Sequence, residues 1–159
     1  MQRTKECKEY SIRDAVAEDV VDLVVLGKQF VKESNNQKLL GWSMKKVYDS
    51  LHNAIERDDL GVFVLCCGGE TVGMLVCFIA PCFFSDALQA GELVWYVDPE
   101  HRGSRKSIEM LIVFEDWAKE RGAVCCNMMN LEVLSPEKTA KFYTRRGYTL
   151  TENTFIKEL

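Results

Sequence analysis

The spacing of apolar residues changes several times along the chain, and each change predicts a helix or a strand. Four segments repeat apolar residues every three to four positions, which is the spacing of one helix face. The first predicted helix runs from Ala17 to about Glu33, the second follows Ser43 as an N-cap, the third stops at Gly122, and the fourth begins with the cap pair Ser135–Pro136 and ends at Gly147.

Six other segments carry alternating or continuous apolar runs, which predict strands. They are 8–14, 61–67, 71–80, 91–98, 124–134 and 148–159. A Gly-Gly pair between the second and third predicts a hairpin. The fifth strand follows the third helix, so a right-handed crossover would lay it parallel to the fourth strand.

The order of elements is therefore β, α, α, β, β, β, α, β, α, β. It predicts one α/β domain over residues 1–159, built on a mixed, mostly antiparallel sheet with helices on both faces. The length suits one domain with a single core.

Composition narrows the choice of partners. Of 159 residues, 47% are hydrophobic and 28% are charged, with a net charge of -4. This balance argues against nucleic-acid binding, which uses basic surfaces. Neither a signal peptide nor a membrane span is indicated, so we expect a cytoplasmic protein with no membrane partner.

The seven cysteines are best explained as reduced, buried thiols, because their number is odd and several lie in apolar runs. Burial raises a thiol pKa, which disfavours a covalent route through a cysteine nucleophile. No spacing typical of a zinc site occurs, so we expect no metal.

The stretch PEHRGSRKSIEML, residues 99–111, places cations and small residues where a strand gives way to a helix. The first amides of a helix lack partners within it and attract anions, and Gly103 would let a phosphate approach the backbone. Solvated cations at a helix start are the alternative. Neither a GxxxxGK[ST] loop nor a GxGxxG loop is present.

Three motifs, VDPEHRGSRKSIEML, WAKERGA and AKFYTRRGY, together with the order of elements, resemble the GCN5-related N-acetyltransferase (GNAT) superfamily, and small phage-encoded members in particular. The family loop that binds acetyl-CoA reads [QR]-x-x-G-x-[GA]. Here it corresponds to Arg102, Gly103, Ser104, Arg105, Lys106 and Ser107. Arg105 replaces the family glycine, and Ser107 stands where Gly or Ala is usual. If the side chain of Arg105 points away from the pyrophosphate, its guanidinium could itself reach a phosphate.

The resemblance also implies how the rest of the cofactor is held. The fourth strand bulges and splays from the fifth, and the pantetheine arm lies in the gap and pairs with backbone near Tyr96 and Val97. An amide at or near Val97 would face the thioester oxygen and stabilise the oxyanion. Members often carry an asparagine at the position of Pro136, and Ser135 could supply that polar contact instead.

Two side chains match catalytic positions of the family. Glu92 would take the proton of the acceptor amine, directly or through a water; a solvent-facing carboxylate at a strand start is the alternative. Tyr143 would give a proton to the leaving thiolate; the alternative is an aromatic on the core face that uses its hydroxyl for one hydrogen bond.

The resemblance thus implies an N-acetyltransferase that passes acetyl from acetyl-CoA to a primary amine by direct attack in a ternary complex. The acceptor is either a small-molecule amine or a protein amine. The alternative is a catalytically weak or inactive protein of this fold that binds CoA or regulates a partner. Phe83 and Phe84, between the third and fourth strands, would form either an apolar wall or the contact of a homodimer.

Overall fold

Five strands form one mixed sheet in the computed structural model of the chain, which describes residues 9–34, 39–129 and 135–159. The spatial order of the strands follows the chain, from β1 to β5. The strands are β1 (Tyr10–Asp14), β2 (Leu60–Cys67), β3 (Glu70–Pro81), β4 (Leu88–Val97) and β5 (Ala123–Asn127).

The pairing of these strands confirms the predicted sheet. β1 to β4 pair antiparallel, and β4 pairs parallel with β5. The β2–β3 turn is Gly68-Gly69, and both residues have positive φ, 58° and 88°. Two successive positive φ angles belong to the tight hairpin turn that glycine favours.

The helices of the described residues begin and end close to the predicted positions. A short 3₁₀ turn (Ala17–Asp19) leads into the first helix, and Ser43 caps the second by accepting a hydrogen bond from the amide of Lys46 at 3.3 Å. They are α1 (Val20–Glu33), α2 (Met44–Ile55), α3 (Arg105–Glu120) and α4 (Pro136–Arg145).

An ion pair ties β1 to the start of α1. Two nitrogens of the Arg13 guanidinium donate to the buried carboxylate of Asp19, at 2.6 and 2.9 Å. One oxygen of Asp19 also accepts from the amide of Val16 at 2.8 Å. The Arg13 hydrogen bonds hold the pKa of Asp19 below its usual value, so this carboxyl stays ionised and caps the helix start.

The centre of the sheet is buried on both faces, as predicted. β2 is buried continuously from Gly61 to Cys67, and helices α2 and α3 both contact it. Gly61 lies under α3: a Cβ there would stand 3.0 Å from the ring of Trp117 and 2.7 Å from Sγ of Cys77. This position needs glycine because the helix and the neighbouring strand approach so closely.

The described residues fall into two compact units. The first contains the chain up to Gly27 and Ser43–Met128, and the second contains Lys28–Trp42 and Met129–Leu159. The sheet and α3 belong to the first unit, while α4 belongs to the second. The single domain over residues 1–159 stays a prediction.

The prediction of a final strand over 148–159 is wrong, because this segment has no regular secondary structure. Its apolar residues would not share one face of a strand: Leu150 and Ile156 stand at even positions, while Phe155 and Leu159 stand at odd positions. All four are exposed. A strand with apolar residues on both faces needs cover on both sides. Of the fifth predicted strand, 130–134 lie outside the described residues.

The cysteine prediction is only partly correct. Of the described cysteines, Cys66, Cys77, Cys82, Cys125 and Cys126 are free thiols, whereas Cys67 is disulfide-bonded. Cys125 is exposed rather than buried, since β5 lies at the edge of the sheet. Burial raises the pKa of Cys77 to about 12 and that of Cys126 to about 11, which leaves both thiols un-ionised at neutral pH.

Candidate active site

The fourth strand contains a bulge where the resemblance places one. Val76 on β3 lies opposite Val94, and the next residue, Cys77, lies opposite Glu92. Leu93 is therefore an extra residue in β4, which bends the strand locally. The described pairs between β4 and β5 run as far as Gly91 with Asn127, and residues 130–134 lie outside the described part of the chain. The predicted bulge and the parallel pairing are confirmed.

Some backbone groups at the end of β4 point away from β3. The amide of Asp98 donates to the carbonyl of Val72 on β3, at 2.9 Å. Because successive residues of a strand turn their N–H and C=O groups to opposite edges, those of Val97 face away from β3. The side chain of Arg102 reaches the same place, and its Nε donates to the Val97 carbonyl at 2.7 Å.

A short loop connects β4 to α3 and is held by its own polar side chains. The carboxylate of Asp98 accepts from the amide of Glu100 at 3.2 Å, at the start of a 3₁₀ turn over Pro99–His101. Gly103 has φ of 74°, and a Cβ built there would meet no atom within 4 Å. Glycine is thus required for its backbone conformation, and the space beside it is open.

Ser104 and Ser107 form the first turn of α3. The Ser104 hydroxyl oxygen accepts from the amide of Ser107 at 3.1 Å, and the Ser107 hydroxyl donates to the Ser104 carbonyl at 2.8 Å. Ser107 is buried, so its hydroxyl serves the loop itself. A serine at the family's Gly or Ala position is accommodated because this hydrogen bond satisfies it.

The cations of the loop point in different directions. Arg105 donates through Nε to Glu109 at 3.1 Å, one turn along the helix, and its side chain is 93% exposed. Lys106 donates to the other oxygen of Glu109 at 2.5 Å, and mainly for this reason the pKa of Glu109 is lowered. Arg102 instead lies over the ring of Tyr96, 5.2 Å from its centroid. The Arg105 side chain therefore leaves the loop open.

Glu92 lies immediately before the bulge and is partly buried. Its cross-strand partner is Cys77, whose thiol donates to the carbonyl of Gly61 at 3.6 Å. Paired residues of antiparallel strands share a face, so the Glu92 carboxylate is on the same face as Cys77. Glu92, Tyr96 and Val97 thus lie on β4, and the loop 102–107 leads from β4 into α3. Both elements belong to the first unit.

The remaining predicted residues belong to the second unit. Tyr143 is 8% exposed, and its hydroxyl donates to the carbonyl of Met129 at 3.4 Å. Its ring lies against those of Phe142 and Tyr148, with centroids 5.5 and 5.4 Å away. These contacts hold the ring in one orientation.

The predicted capping role of Ser135 is wrong in its chemistry, although α4 does begin at Pro136. Ser135 has φ of 54°, in the left-handed region, and its side chain makes no capping hydrogen bond. Its carbonyl instead accepts from the amides of Lys138 and Thr139, at 3.1 and 3.2 Å. Proline at the first helical position needs no amide partner, which lessens the need for a side-chain cap.

A contact that the sequence did not indicate anchors the 3₁₀ turn. His101 is partly buried, and a 2.9 Å hydrogen bond joins its Nδ1 to the hydroxyl of Tyr10 on β1. The two residues are 91 positions apart. No periodicity or motif connects them, so only the fold could reveal the pair.

The bulged β4, its parallel neighbour β5 and the loop leading into α3 define an α/β protein with a glycine-containing loop at the end of its fourth strand. A sequence model of the acetyltransferase (GNAT) family matches residues 28–148, and the chain belongs to that family. The family uses acetyl-CoA as its acetyl donor. No curated protein matches the sequence.

Several solved structures share this fold. A transcriptional regulator from Bacillus halodurans C-125 has a TM-score of 0.76 and 16% identity, covering 95% of this chain and 100% of its own. A glucosamine-6-phosphate N-acetyltransferase from Arabidopsis thaliana gives 0.72 and 16%, covering 95% and 99%. A ribosomal-protein-alanine N-acetyltransferase from Brucella melitensis biovar Abortus 2308 gives 0.69 and 14%, covering 95% and 99%.

The described part of the chain contains neither a metal-binding cluster nor a membrane-spanning helix. No group of three or more His, Cys, Asp or Glu side chains there is arranged to hold a metal ion. No helix among residues 9–34, 39–129 and 135–159 has the length and apolar character to cross a bilayer.

Proposed function

We propose that this protein is an N-acetyltransferase that transfers acetyl from acetyl-CoA to a primary amine by direct attack in a ternary complex. The observation that carries the proposal is the bulged end of β4 followed by the glycine-containing loop before α3, where the Val97 backbone faces away from β3 and the space beside Gly103 is open. Open space at Gly103 and the outward course of Arg105 make the loop fit a diphosphate. A cytoplasmic location is proposed: five of the described cysteines are free thiols, although Cys67 is disulfide-bonded.

The residues that would hold acetyl-CoA follow from this geometry. The amides of Gly103–Lys106 lie at the start of α3 and would receive the pyrophosphate, with Lys106 and Arg105 adding positive charge nearby; the Ser107 amide is already held by the Ser104 hydroxyl. The backbone of Val97 would pair with the pantetheine arm, whereas the same alternation turns the N–H and C=O groups of Tyr96 toward β3. Arg102 fixes the Val97 carbonyl, which leaves the Val97 amide as the donor proposed for the thioester oxygen. Ser135 is proposed to add a polar contact to the cofactor.

The proposed transfer requires two protons to leave the protonated amine and one to reach the sulfur. A lysine-like amine has a pKa of about 10.4, so neutralising it at pH 7 costs about 4–5 kcal/mol. Glu92 is proposed as the base that takes the first proton. The amine nitrogen then bonds to the acetyl carbon, the carbon–sulfur bond breaks, and Tyr143 gives its hydroxyl proton to the departing thiolate. The nitrogen loses its second proton to solvent, and solvent restores the Tyr143 hydroxyl.

Tyr143→Phe should lower kcat about tenfold while leaving the dissociation constant for acetyl-CoA within about twofold of wild type. The expected loss is moderate because a thiol with pKa of about 8.5 leaves readily without an acid. Steady-state kinetics and calorimetric titration would measure the two quantities. Tyr148→Phe is the matched control, since Tyr148 packs on Tyr143 with its ring and has no proposed role. A large loss of acetyl-CoA affinity in Tyr143→Phe would contradict the assignment.

The acceptor is proposed to be a small-molecule amine or a protein amine, with no nucleic acid or membrane involved. Two solved structures that share this fold are enzymes named for the two kinds of acceptor, glucosamine-6-phosphate and a ribosomal-protein alanine. Titration with acetyl-CoA, followed by a thiol-release assay over a panel of both amine types, tests the function. Binding with release supports the transferase; binding without release from any amine would favour the inactive alternative, and no binding would refute both.

A homodimer through the β3–β4 loop is proposed as the quaternary state. Phe83 and Phe84 are 92% and 90% exposed, and their rings meet edge to face at 5.1 Å. Such a pair is an unusual feature of a surface without a partner. Sedimentation should show a dimer that the double change Phe83→Ser and Phe84→Ser converts to a monomer. If the wild-type protein is a monomer at assay concentration, the pair is assigned instead to an apolar wall beside the acceptor.

A further inference from the structure

The loop before α3 is fastened to the sheet at two places, and they differ in kind. Arg102 folds back onto β4, its own neighbour in the chain, through the Val97 carbonyl and the Tyr96 ring. His101, one residue earlier, reaches Tyr10 on β1, at the opposite edge of the sheet from β5. The second contact therefore spans the sheet, whereas the first is local.

The pairing register explains how His101 can reach so far. Tyr10 lies opposite Cys67, next to the Gly68-Gly69 turn, and the amide of Gly68 donates to the carbonyl of Glu9 at 3.1 Å. β4 also ends near this turn, because the amide of Asp98 donates to Val72 of β3. The 3₁₀ turn over Pro99–His101 thus crosses the hairpin end of the sheet and meets β1 there.

The contact is well defined on both sides. The Tyr10 hydroxyl and His101 Nδ1 are 2.9 Å apart, their ring centroids are 5.8 Å apart, and the rings meet at 79°. Both residues are partly buried, which limits the competition of water for the hydrogen bond. The backbone on either side is fixed by the strand pairing of Tyr10 and by the capped 3₁₀ turn of His101.

We propose that Tyr10 is a positioning residue for the acetyl-CoA loop. Through His101 it holds the turn over Pro99–His101, and this turn sets where Gly103 and the first amides of α3 are presented. The role rests on the proposed function, since it concerns the donor site of the transferase. Tyr10 itself touches neither substrate: it acts only by restricting the loop.

The test compares loop opening with cofactor affinity. Tyr10→Phe removes the hydroxyl and keeps the ring, and His101→Ala removes the imidazole. Each should raise the dissociation constant and the KM for acetyl-CoA about threefold to tenfold, the range of one hydrogen bond. The kcat at saturating acetyl-CoA should stay within about twofold of wild type, because the filled site has already ordered the loop. His101→Asn, which offers a polar atom near the position of Nδ1, should restore most of the affinity.

Trypsin supplies a readout that does not depend on activity. Arg102, Arg105 and Lys106 are cleavage sites within the loop, and Arg121 is a reference site at the other end of α3. Cleavage of the folded protein follows the population of locally opened loop. In Tyr10→Phe and His101→Ala, the ratio of loop cleavage to cleavage at Arg121 should rise about threefold or more, without ligand.

Tyr48→Phe is the matched control. Tyr48 also faces a histidine, His52, with ring centroids 6.2 Å apart, but it lies on α2. It should leave both the cleavage ratio and the affinity unchanged. Equal cleavage ratios in Tyr10→Phe and wild type would overturn the inference, and so would a raised ratio with unchanged affinity. If wild-type protein binds no acetyl-CoA, the proposed function fails, and the cleavage ratio alone then decides whether Tyr10 restrains the loop.

Discussion

Replacing Glu92 with glutamine is expected to lower kcat/KM for a primary amine about a hundredfold at pH 7. General base catalysis contributes about 10²-fold or more, and glutamine keeps the size of the side chain while removing its ability to accept a proton. Without a base, the reaction would depend on the small fraction of amine that is already neutral. That fraction grows tenfold per pH unit up to the amine pKa of about 10.4.

The neutral fraction of the amine determines how the loss of activity in Glu92→Gln changes with pH. The deficit of Glu92→Gln should be largest near neutral pH and should shrink as the pH rises toward 10. Thiol release measured from pH 6 to 10 at saturating acetyl-CoA would show this convergence. Glu70→Gln is the matched control: Glu70 is an exposed glutamate at the start of β3 and has no proposed role. If Glu92→Gln has the same pH–rate profile as wild type, Glu92 is a structural residue of the strand and the base must be sought elsewhere.

Most of the helices and turns could be predicted from the sequence, because helix caps and tight turns depend on only a few neighbouring residues. Ser43 caps α2, Gly68-Gly69 turns the hairpin, and Pro136 starts α4, each through chemistry confined to one turn of chain. The crossover rule then fixed the parallel pairing of β4 and β5. The prediction of the final strand failed because an apolar segment forms a strand only where a partner covers it, and the segment's own sequence does not reveal that partner.

The loop between β4 and α3 shows the same limit of prediction at the scale of single side chains. The sequence located the loop and identified Arg105 as the departure from the family pattern, but it could not determine the direction of its side chain. Glu109, one helical turn later, decides this by pairing with both Arg105 and Lys106. The Tyr10–His101 contact was beyond prediction altogether, since it depends on the sheet order that brings residues 91 positions apart together.

Phe114→Ala should destabilise the protein by about 3–5 kcal/mol, the largest stability effect we expect from a single core substitution. Phe114 is fully buried on α3, and its ring stacks on that of Trp117 with centroids 6.4 Å apart. The substitution leaves a cavity between the helix and the sheet that neighbouring side chains can fill only in part. Urea denaturation would measure the loss, with Ile112→Ala, 38% exposed on the same helix, expected to cost less than about 1 kcal/mol.

The consequence for function follows from the position of Phe114 on the helix whose first turn forms the proposed donor site. A loss of this size approaches the whole stability of a marginal domain, so much of the Phe114→Ala protein should be unfolded near its working temperature. Acetyl-CoA, if it binds only the folded state, should restore about 2.7 kcal/mol at a hundred times its dissociation constant. Recovery of the folded fraction by acetyl-CoA, with no recovery by adenosine alone, would connect the packing of α3 to the ligand site. A cost below about 1 kcal/mol would show instead that Phe114 does not hold α3 on the sheet.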